Sequence, residues 1–285
     1  MTLVPLPELL DGARWDGYAL GYFEAWDSYS LDAVVAAAEA ERAPVILGFG
    51  CLLVDRGWLD AGGIETFAAL GQAAVERAGV PAALLLNEAH TVEHALRGLD
   101  AGFNAVMVHG AAPADVALLV RRAHARGAAV EGELGRLPDG EDDSHALLTD
   151  PDEAAAYFAE TGVDCLAVSF GNVHVLEGRA DSVDLDRLQA ISSRIDVPLA
   201  VHGGTSFPPE LVPGAIARGA AKFNVGTALK RAFLDGLTKA AGAGGDLHAL
   251  VGSRGSTDLL SAGADRMRDV VRRQIQLYGG SGRAG

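Results

Sequence analysis

The chain has 285 residues, of which 49% are hydrophobic and 21% charged, and its formal net charge at pH 7 is −15. This composition is typical of a globular protein with a large core, and the negative charge argues against a broad binding surface for nucleic acid or anionic lipid. We also expect no membrane span, no signal peptide and a cytoplasmic location, with Cys51 and Cys165 reduced, because both lie in apolar runs.

Eight short apolar runs recur along the chain at fairly even spacing. They are GYALGYF (17–23), PVILGFG (44–50), AALLLNE (82–88), AVMVHG (105–110), AAVEGEL (128–134), CLAVSFG (165–171), PLAVHGG (198–204) and KFNVGT (222–227). Most are continuous rather than alternating, which is typical of strands buried on both faces of a parallel sheet. Helical patterns separate them, with Ser30 and Thr91 predicted as N-caps and Gly102 as a helix end.

Eight strands that alternate with helices predict an α/β fold, the (β/α)₈ TIM barrel. The alternative is an open doubly wound sheet. It is weaker, because GFGCLLVD (48–55) carries a G-x-G but lacks the third glycine of a dinucleotide-binding motif. We predict one domain over residues 1–278, with extra helices outside the barrel at about 246–278 and a flexible Gly-rich tail at 279–285.

Polar residues cluster where the predicted strands end, and in a TIM barrel that rim carries the functional site. The residues at these ends are Glu24, Trp26, Gly50, Asn87, Glu88, His109, Glu131, Glu133, His174, His202, Asn224 and Thr227. Imidazoles and carboxylates from separate strands commonly hold a divalent metal. His202 is followed by GGTS, and Asn224 by VGT. Each small-residue turn leads into a predicted helix whose exposed N–H groups can bind a phosphate.

Several of these pieces in order make a specific pattern: TGVDCLAVSFGNVH, VPLAVHGGTSFP and AKFNVGTALKRAF. From about residue 7 to 240 the chain resembles the class II, metal-dependent ketose-bisphosphate aldolases, which act on fructose or tagatose bisphosphate. The resemblance implies metal ligation by His174 and His202. It also implies that two turns bind the substrate phosphate, through Gly203, Gly204, Thr205, Ser206, Asn224, Gly226 and Thr227.

The sequence departs from that family where the third strand ends. The family has H-x-D-H there, and the matching residues put Asn87 at the catalytic aspartate and Glu88 at the third metal ligand. An amide can orient a substrate but cannot shuttle a proton near neutral pH. A carboxylate is a competent ligand, so His174, His202 and Glu88 would form a two-histidine, one-carboxylate set for zinc, manganese or ferrous iron, with zinc preferred.

Other candidates surround this set. His109 stands where the family has an aspartate, and Glu24 stands where it has an asparagine, so both are candidate catalytic residues alongside Asn87. Glu131 and Glu133 share one face of a strand, so they are either carboxylates near the metal or a structural pair bonded to backbone, and Glu133 is favoured as a further metal ligand. The carboxylates of EDD (141–143) could supply an acid. The remaining histidines are expected to be solvated: His90, His94, His124, His145 and His248.

These features favour an aldolase-like lyase that acts on a phosphorylated sugar or ketose with a divalent metal. Two alternatives stay open: a different reaction on a phosphorylated metabolite (isomerase, epimerase or transferase), and a non-catalytic phosphometabolite-binding protein. The expected partner is a small phosphorylated substrate, with no nucleic acid and no membrane. The resemblance further implies a homodimer or homotetramer.

Overall fold

A computed structural model describes residues 3–135, 148–173, 180 and 183–285. Eight parallel strands close into a barrel in which each strand pairs with its neighbours in chain order. The strands are β1 (Leu20–Glu24), β2 (Val45–Gly50), β3 (Ala82–Ala89), β4 (Ala105–Val108), β5 (Ala129–Leu134), β6 (Cys165–Val168), β7 (Leu199–Val201) and β8 (Ala220–Val225). The predicted (β/α)₈ barrel and its eight strands are confirmed.

Helices surround the barrel. They are α1 (Leu6–Asp16), α2 (Ser28–Glu41), α3 (Arg56–Trp58), α4 (Ile64–Arg77), α5 (Val92–Ala101), α6 (Pro113–His124), α7 (Pro151–Thr161), α8 (Leu185–Ser192), α9 (Val212–Ile216), α10 (Thr227–Gly242), α11 (Leu247–Leu250) and α12 (Leu259–Leu277). A π-helical turn (Leu59–Gly63) joins α3 to α4, and a 3₁₀ turn (Pro209–Leu211) precedes α9. The extra C-terminal helices are therefore present as predicted.

The helix caps agree with the sequence in one case and differ in another. Thr91 caps α5 through the N–H of His94, and Gly102 ends that helix in the left-handed conformation, as predicted. The prediction that Ser30 is the N-cap of α2 is wrong. Asp27 is the cap, and its carboxylate accepts from the Ser30 N–H at 2.7 Å while the Ser30 hydroxyl accepts from the Asp27 N–H at 3.0 Å.

Small side chains line the interior of the barrel. They include Ala83, Ala105, Ala129, Cys165, Ala167, Ala200 and Ala221, with Tyr22, Ile46 and Leu85 among them, and α1 packs Leu6 and Leu10 into the same cluster. A larger apolar cluster lies between the strands and the outer helices. Because most of these inward residues are short, the interior has room for long polar side chains nearer the carboxyl ends of the strands.

The chain ends pack onto the outer layer. Helix α12 lies against both α10 and α2. Beyond it, the Gly282 and Ala284 N–H groups donate to the carbonyls of Glu41 and Arg42 at 2.8 and 2.9 Å, within the segment predicted as a flexible tail. The division of the chain into one domain and a tail stays a prediction. In the part of the chain that the structure describes, no helix has the length and apolar character to cross a membrane.

Candidate functional site

A buried triad of ionisable side chains stands at the centre of the barrel. His202, just after β7, places Nε2 2.8 Å from Glu131 Oε1, and Lys222 Nζ lies 2.8 Å from Glu131 Oε2. All three side chains are buried. Burial alone would raise the pKa of Glu131, but Lys222 and His202 outweigh it and lower that pKa to about 2. Burial alone would lower the pKa of His202, but its hydrogen bond with Glu131 raises it instead.

The triad fixes which nitrogen of His202 faces the rim. Because ionised Glu131 can only accept, Nε2 must carry the proton of that hydrogen bond. Nδ1 then faces two carboxylates, at 3.7 Å from Glu88 Oε1 and 3.7 Å from Glu133 Oε1. Beyond them, His109 Nδ1 lies 3.3 Å from Glu133 Oε2. The structure thus brings together four predicted site residues from four different strands.

A bulge in β3 aims Glu88 at this centre. Leu86 pairs with Val106 and Ala89 pairs with Val108, so β3 has one more residue than β4 over this stretch. Glu88 has a φ of +53°, a conformation that is costly for any residue with a Cβ. In regular alternation Asn87 and Glu88 would face opposite sides. The bulge instead turns both toward the cavity, which they line together.

The donors suit a divalent metal in chemical type. Over the described ranges, no group of three or more His, Cys, Asp or Glu side chains meets the geometry of a metal site. His174, one of the predicted ligands, lies outside the described residues. Yet one imidazole nitrogen and two carboxylate oxygens converge, and Glu131 supports the histidine from behind. A carboxylate bonded to the far nitrogen is the usual support of a metal-binding histidine.

The two predicted phosphate turns lie side by side at the ends of β7 and β8. Gly203 has a φ of +73°. Gly204 donates its N–H to Asn224 O at 2.8 Å, and a Cβ on Gly204 would lie 2.7 Å from that oxygen. Thr205 Oγ1 accepts from the Ala228 N–H at 3.1 Å, which ties the first turn to the start of α10. Only glycine permits this contact between the two backbones.

Ser206 is placed differently from the other predicted phosphate residues. It is buried, its N–H donates to Gly203 O at 3.1 Å, and its hydroxyl donates toward Val173 O at 3.0 Å. Both of its donors therefore stabilise the turn rather than face the cavity. In the first turn of α10, the Ala228 N–H donates to Thr205 Oγ1 and the Leu229 N–H donates to Gly226 O at 2.9 Å, so the remaining first-turn donor is the N–H of Thr227.

A cavity of about 280 Å³ opens at this end of the barrel. Among the predicted site residues, its lining includes Glu24, Asn87, Glu88, Gly203, Thr205, Asn224, Gly226 and Thr227. His109 is among the described residues, but it does not line this cavity. Leu53, Lys230 and Arg231 also line it and were not found from the sequence. Lys230 and Arg231 could have been found from the sequence, because they follow Gly226 and Thr227 by one helical turn.

Other residues were misjudged from the sequence. His94 was expected to be solvated, which is wrong: it is buried, with Nε2 2.6 Å from Asp60 Oδ1. The position of His94 on a helix does not reveal its burial, because its partner Asp60 comes from a different part of the chain. Lys222 was missed as well, although a lysine inside the apolar run KFNV indicates a buried partner. Both cysteines are free and buried, as expected. Residues 141–143 (EDD) and His145 lie outside the described residues.

Comparison with known proteins gives a consistent result. The family model for class-II fructose-bisphosphate aldolase matches residues 4–283. A sulfofructosephosphate aldolase of Alkalicoccus urumqiensis is 30% identical, over 100% of this chain and 99% of that protein. A probable fructose-bisphosphate aldolase of Bacillus subtilis (strain 168) is 33% identical, over 80% of this chain and 82% of that one. The crystal structure of the YdjI aldolase from Escherichia coli K12 superposes with a TM-score of 0.81 and 25% identity, covering 99% and 100% of the two chains.

Proposed function

Because the chain belongs to the class II fructose-bisphosphate aldolase family, and is thus an aldolase-type lyase, we propose that it cleaves a carbon–carbon bond in a phosphorylated ketose with the help of a divalent metal, zinc first. One observation carries the proposal. The paired turns of β7 and β8 line the same cavity as the Glu88 carboxylate, and Glu88 Oε1 lies 3.7 Å from His202 Nδ1. A ligand held there would present its phosphate to one side and its carbonyl to the other.

The phosphate side relies on backbone. Gly203, Thr205 and Thr227 line the cavity, and α10 begins at Thr227. The N-terminus of a helix attracts an anion through its N–H groups and its dipole. Holding the phosphate there would direct its binding energy into orienting the reacting carbons. The net charge of −15 does not oppose this, because the recognition is local.

The carbonyl side would hold the metal. His202, Glu88 and Glu133 are the described residues that would bind it, with His174 as the further predicted ligand. When bound, a divalent metal polarises the substrate carbonyl. The chain's own contribution is to keep His202 in one tautomer through Glu131, and to hold Glu88 at the cavity through the bulge of β3.

Asn87 supports a second candidate function. Its Oδ1 is buried and has no hydrogen-bond partner among the described residues, so it offers an acceptor to a substrate hydroxyl but no proton exchange. That favours a different reaction, such as isomerisation, epimerisation or group transfer, on the same class of phosphorylated metabolite. A non-catalytic binding protein would share the phosphate site and show no turnover.

The test is a coupled assay for release of a triose phosphate. Fructose bisphosphate, tagatose bisphosphate and a sulfofructose phosphate are each supplied to the zinc-loaded protein, to chelator-treated protein and to treated protein with zinc restored. We expect turnover with at least one substrate, lost with chelator and regained with zinc. Phosphate-dependent thermal stabilisation without turnover on any of them would support the binding protein instead.

The assembly and location of the protein belong to the same proposal. We expect a homodimer or homotetramer in the cytoplasm that binds a small phosphorylated substrate and neither nucleic acid nor a membrane. Light scattering after size-exclusion chromatography, performed with and without zinc, measures the first point. A monomer under both conditions would contradict it.

A further inference from the structure

The cavity contains a carboxylate that is not among the proposed metal ligands. Glu24, the last residue of β1, lines the cavity and places Oε1 2.7 Å from Lys230 Nζ. About a fifth of its side chain is exposed, so the group is accessible to a ligand while it is held in place. In this ion pair Glu24 is a carboxylate, which is the form that can accept a proton.

Two glycines make the space that this carboxylate occupies. A Cβ on Gly50 would lie 3.0 Å from Glu24 Oε1, and a Cβ on Gly226 would overlap with Oε2. Gly226 immediately precedes α10, so the carboxylate lies next to the proposed phosphate turn. The backbones of Gly50 and Gly226 and the ammonium group of Lys230 surround the Glu24 carboxylate on three sides, and they hold it in one orientation.

The same arrangement connects Glu24 with the position where the family has its catalytic aspartate. In the sheet, Glu24 pairs with Gly48 and Gly50 pairs with Asn87. The inward positions of β2 between the two residues are therefore glycines, with no side chain to separate them. Both Glu24 and Asn87 line the one cavity.

We propose that Glu24 is the proton carrier of the aldol reaction, moved across β2 from position 87 to position 24. This rests on the proposed function. In cleavage, the hydroxyl on the carbon β to the carbonyl loses its proton to a Glu24 oxygen and becomes the aldehyde C=O. The Cα–Cβ bond breaks, and its electron pair forms the enediolate of the ketone fragment. Glu24 then returns the proton to Cα, so no other reactant is needed.

His109 fits this role less well. It lies beside Glu133 at 3.3 Å, nearly half of its side chain is exposed, and it is not in the cavity lining formed by the described residues. Asn87 lies in the cavity but cannot exchange a proton. Glu88 lies there as well, but it faces His202 and is proposed to bind the metal.

The experiment measures proton exchange separately from binding. The zinc-loaded protein is incubated in D₂O with dihydroxyacetone phosphate, and NMR follows loss of the C–H signal. Thermal shift with the same compound reports binding. We expect Glu24→Gln to lower exchange about 100-fold or more, with affinity within about threefold. The double variant Glu24→Gln/Asn87→Asp should regain at least about tenfold over the single one, because a carboxylate returns on the other side of β2.

Glu24→Asp is the matched control, because it keeps the charge and shortens the reach, and it should retain more exchange than Glu24→Gln. Exchange by Glu24→Gln close to that of the native protein would overturn the inference and leave the proposed function standing. A Glu24→Gln protein that binds the probe much more tightly, with unchanged exchange, would also overturn it, since Glu24 would then only repel the phosphate. A native protein that binds the probe but neither exchanges nor cleaves contradicts the proposed function, and the inference with it.

Discussion

The two sides of the cavity are built from different materials. On the side of β7, β8 and α10, the lining is formed by two turns held by backbone: Gly204 N–H binds Asn224 O, and α10 begins at Thr227 beside them. On the side of β1 to β4, the lining includes the polar side chains of Glu24, Asn87 and Glu88. The first side matches the family pattern, and the second departs from it at each of these positions.

Under the proposed function, this contrast would let a barrel alter its chemistry while it keeps its ligand class. A backbone site needs only small residues and a helix start, so few substitutions are compatible with it. A side-chain site changes role with one residue, as aspartate to asparagine removes proton transfer but keeps volume. The following variants test whether the two sides are as independent as this comparison implies.

The largest effect is expected below both sides, in the buried triad. Lys222→Met removes the cation that faces Glu131 and leaves that carboxylate with His202 alone. Breaking a buried ion pair on one side costs about 3–5 kcal/mol. Urea denaturation should show this loss. The double variant Lys222→Met/Glu131→Leu should recover part of it, and a single variant as stable as the native protein would show that the pair contributes little.

The next effect tests the backbone side. Gly204→Ala places a Cβ 2.7 Å from Asn224 O, so β7 and β8 must separate. We expect a loss of about 1–3 kcal/mol in unfolding free energy, together with loss of the thermal stabilisation by dihydroxyacetone phosphate. Gly12→Ala is the control, because no atom lies within 4 Å of its Cβ, and alanine in a helix should stabilise the protein by about 0.5–1 kcal/mol. Retained phosphate binding in Gly204→Ala would contradict the close-approach explanation.

A third variant tests the side-chain side. Glu88→Gly removes the Cβ that makes a φ of +53° unfavourable, so the protein should gain about 1 kcal/mol in stability. The same change removes a proposed metal ligand and should weaken zinc binding, as measured by competition with a chromogenic chelator. If phosphate binding is unchanged, the two sides are independent. A less stable variant would show that the Glu88 carboxylate contributes more than its backbone strain costs.

The smallest effect lies away from both sides, at Glu41. The Ser281 hydroxyl donates to the Glu41 carboxylate and lowers the pKa of Glu41. Burial opposes this with a smaller effect, and hydrogen bonds from Arg272 and Gln276 lower that pKa further. A lowered folded pKa means that this stability is present above the unfolded value of about 4.3 and is lost as pH falls toward the folded value. Glu41→Gln should cost about 1 kcal/mol of unfolding free energy at pH 7. The variant should also lose less stability than the native protein when the pH falls from about 5 to about 3, as followed by urea midpoints.

Much of the fold follows from sequence because it depends on local pattern. Each apolar run is a strand, and Thr91 and Gly102 limit a helix by their own conformations. The site is predictable as a rim of strand ends, but its internal pairings are not. Glu131 and Lys222 are 91 positions apart, and Glu24 and Lys230 are 206 apart. Such pairs depend on strand register around a closed barrel, and register at β3 is shifted by a bulge that local pattern does not indicate.

The place of α12 has a consequence for biosynthesis. This helix packs against both α2 and α10, and residues after it bond to the end of α2. In a nascent chain the apolar surface of α2 therefore stays uncovered until α12 emerges from the ribosome. Chaperones have their main opportunity to bind in that interval, and truncation near the carboxyl terminus should reduce yield in the cell more than its distance from the cavity would suggest.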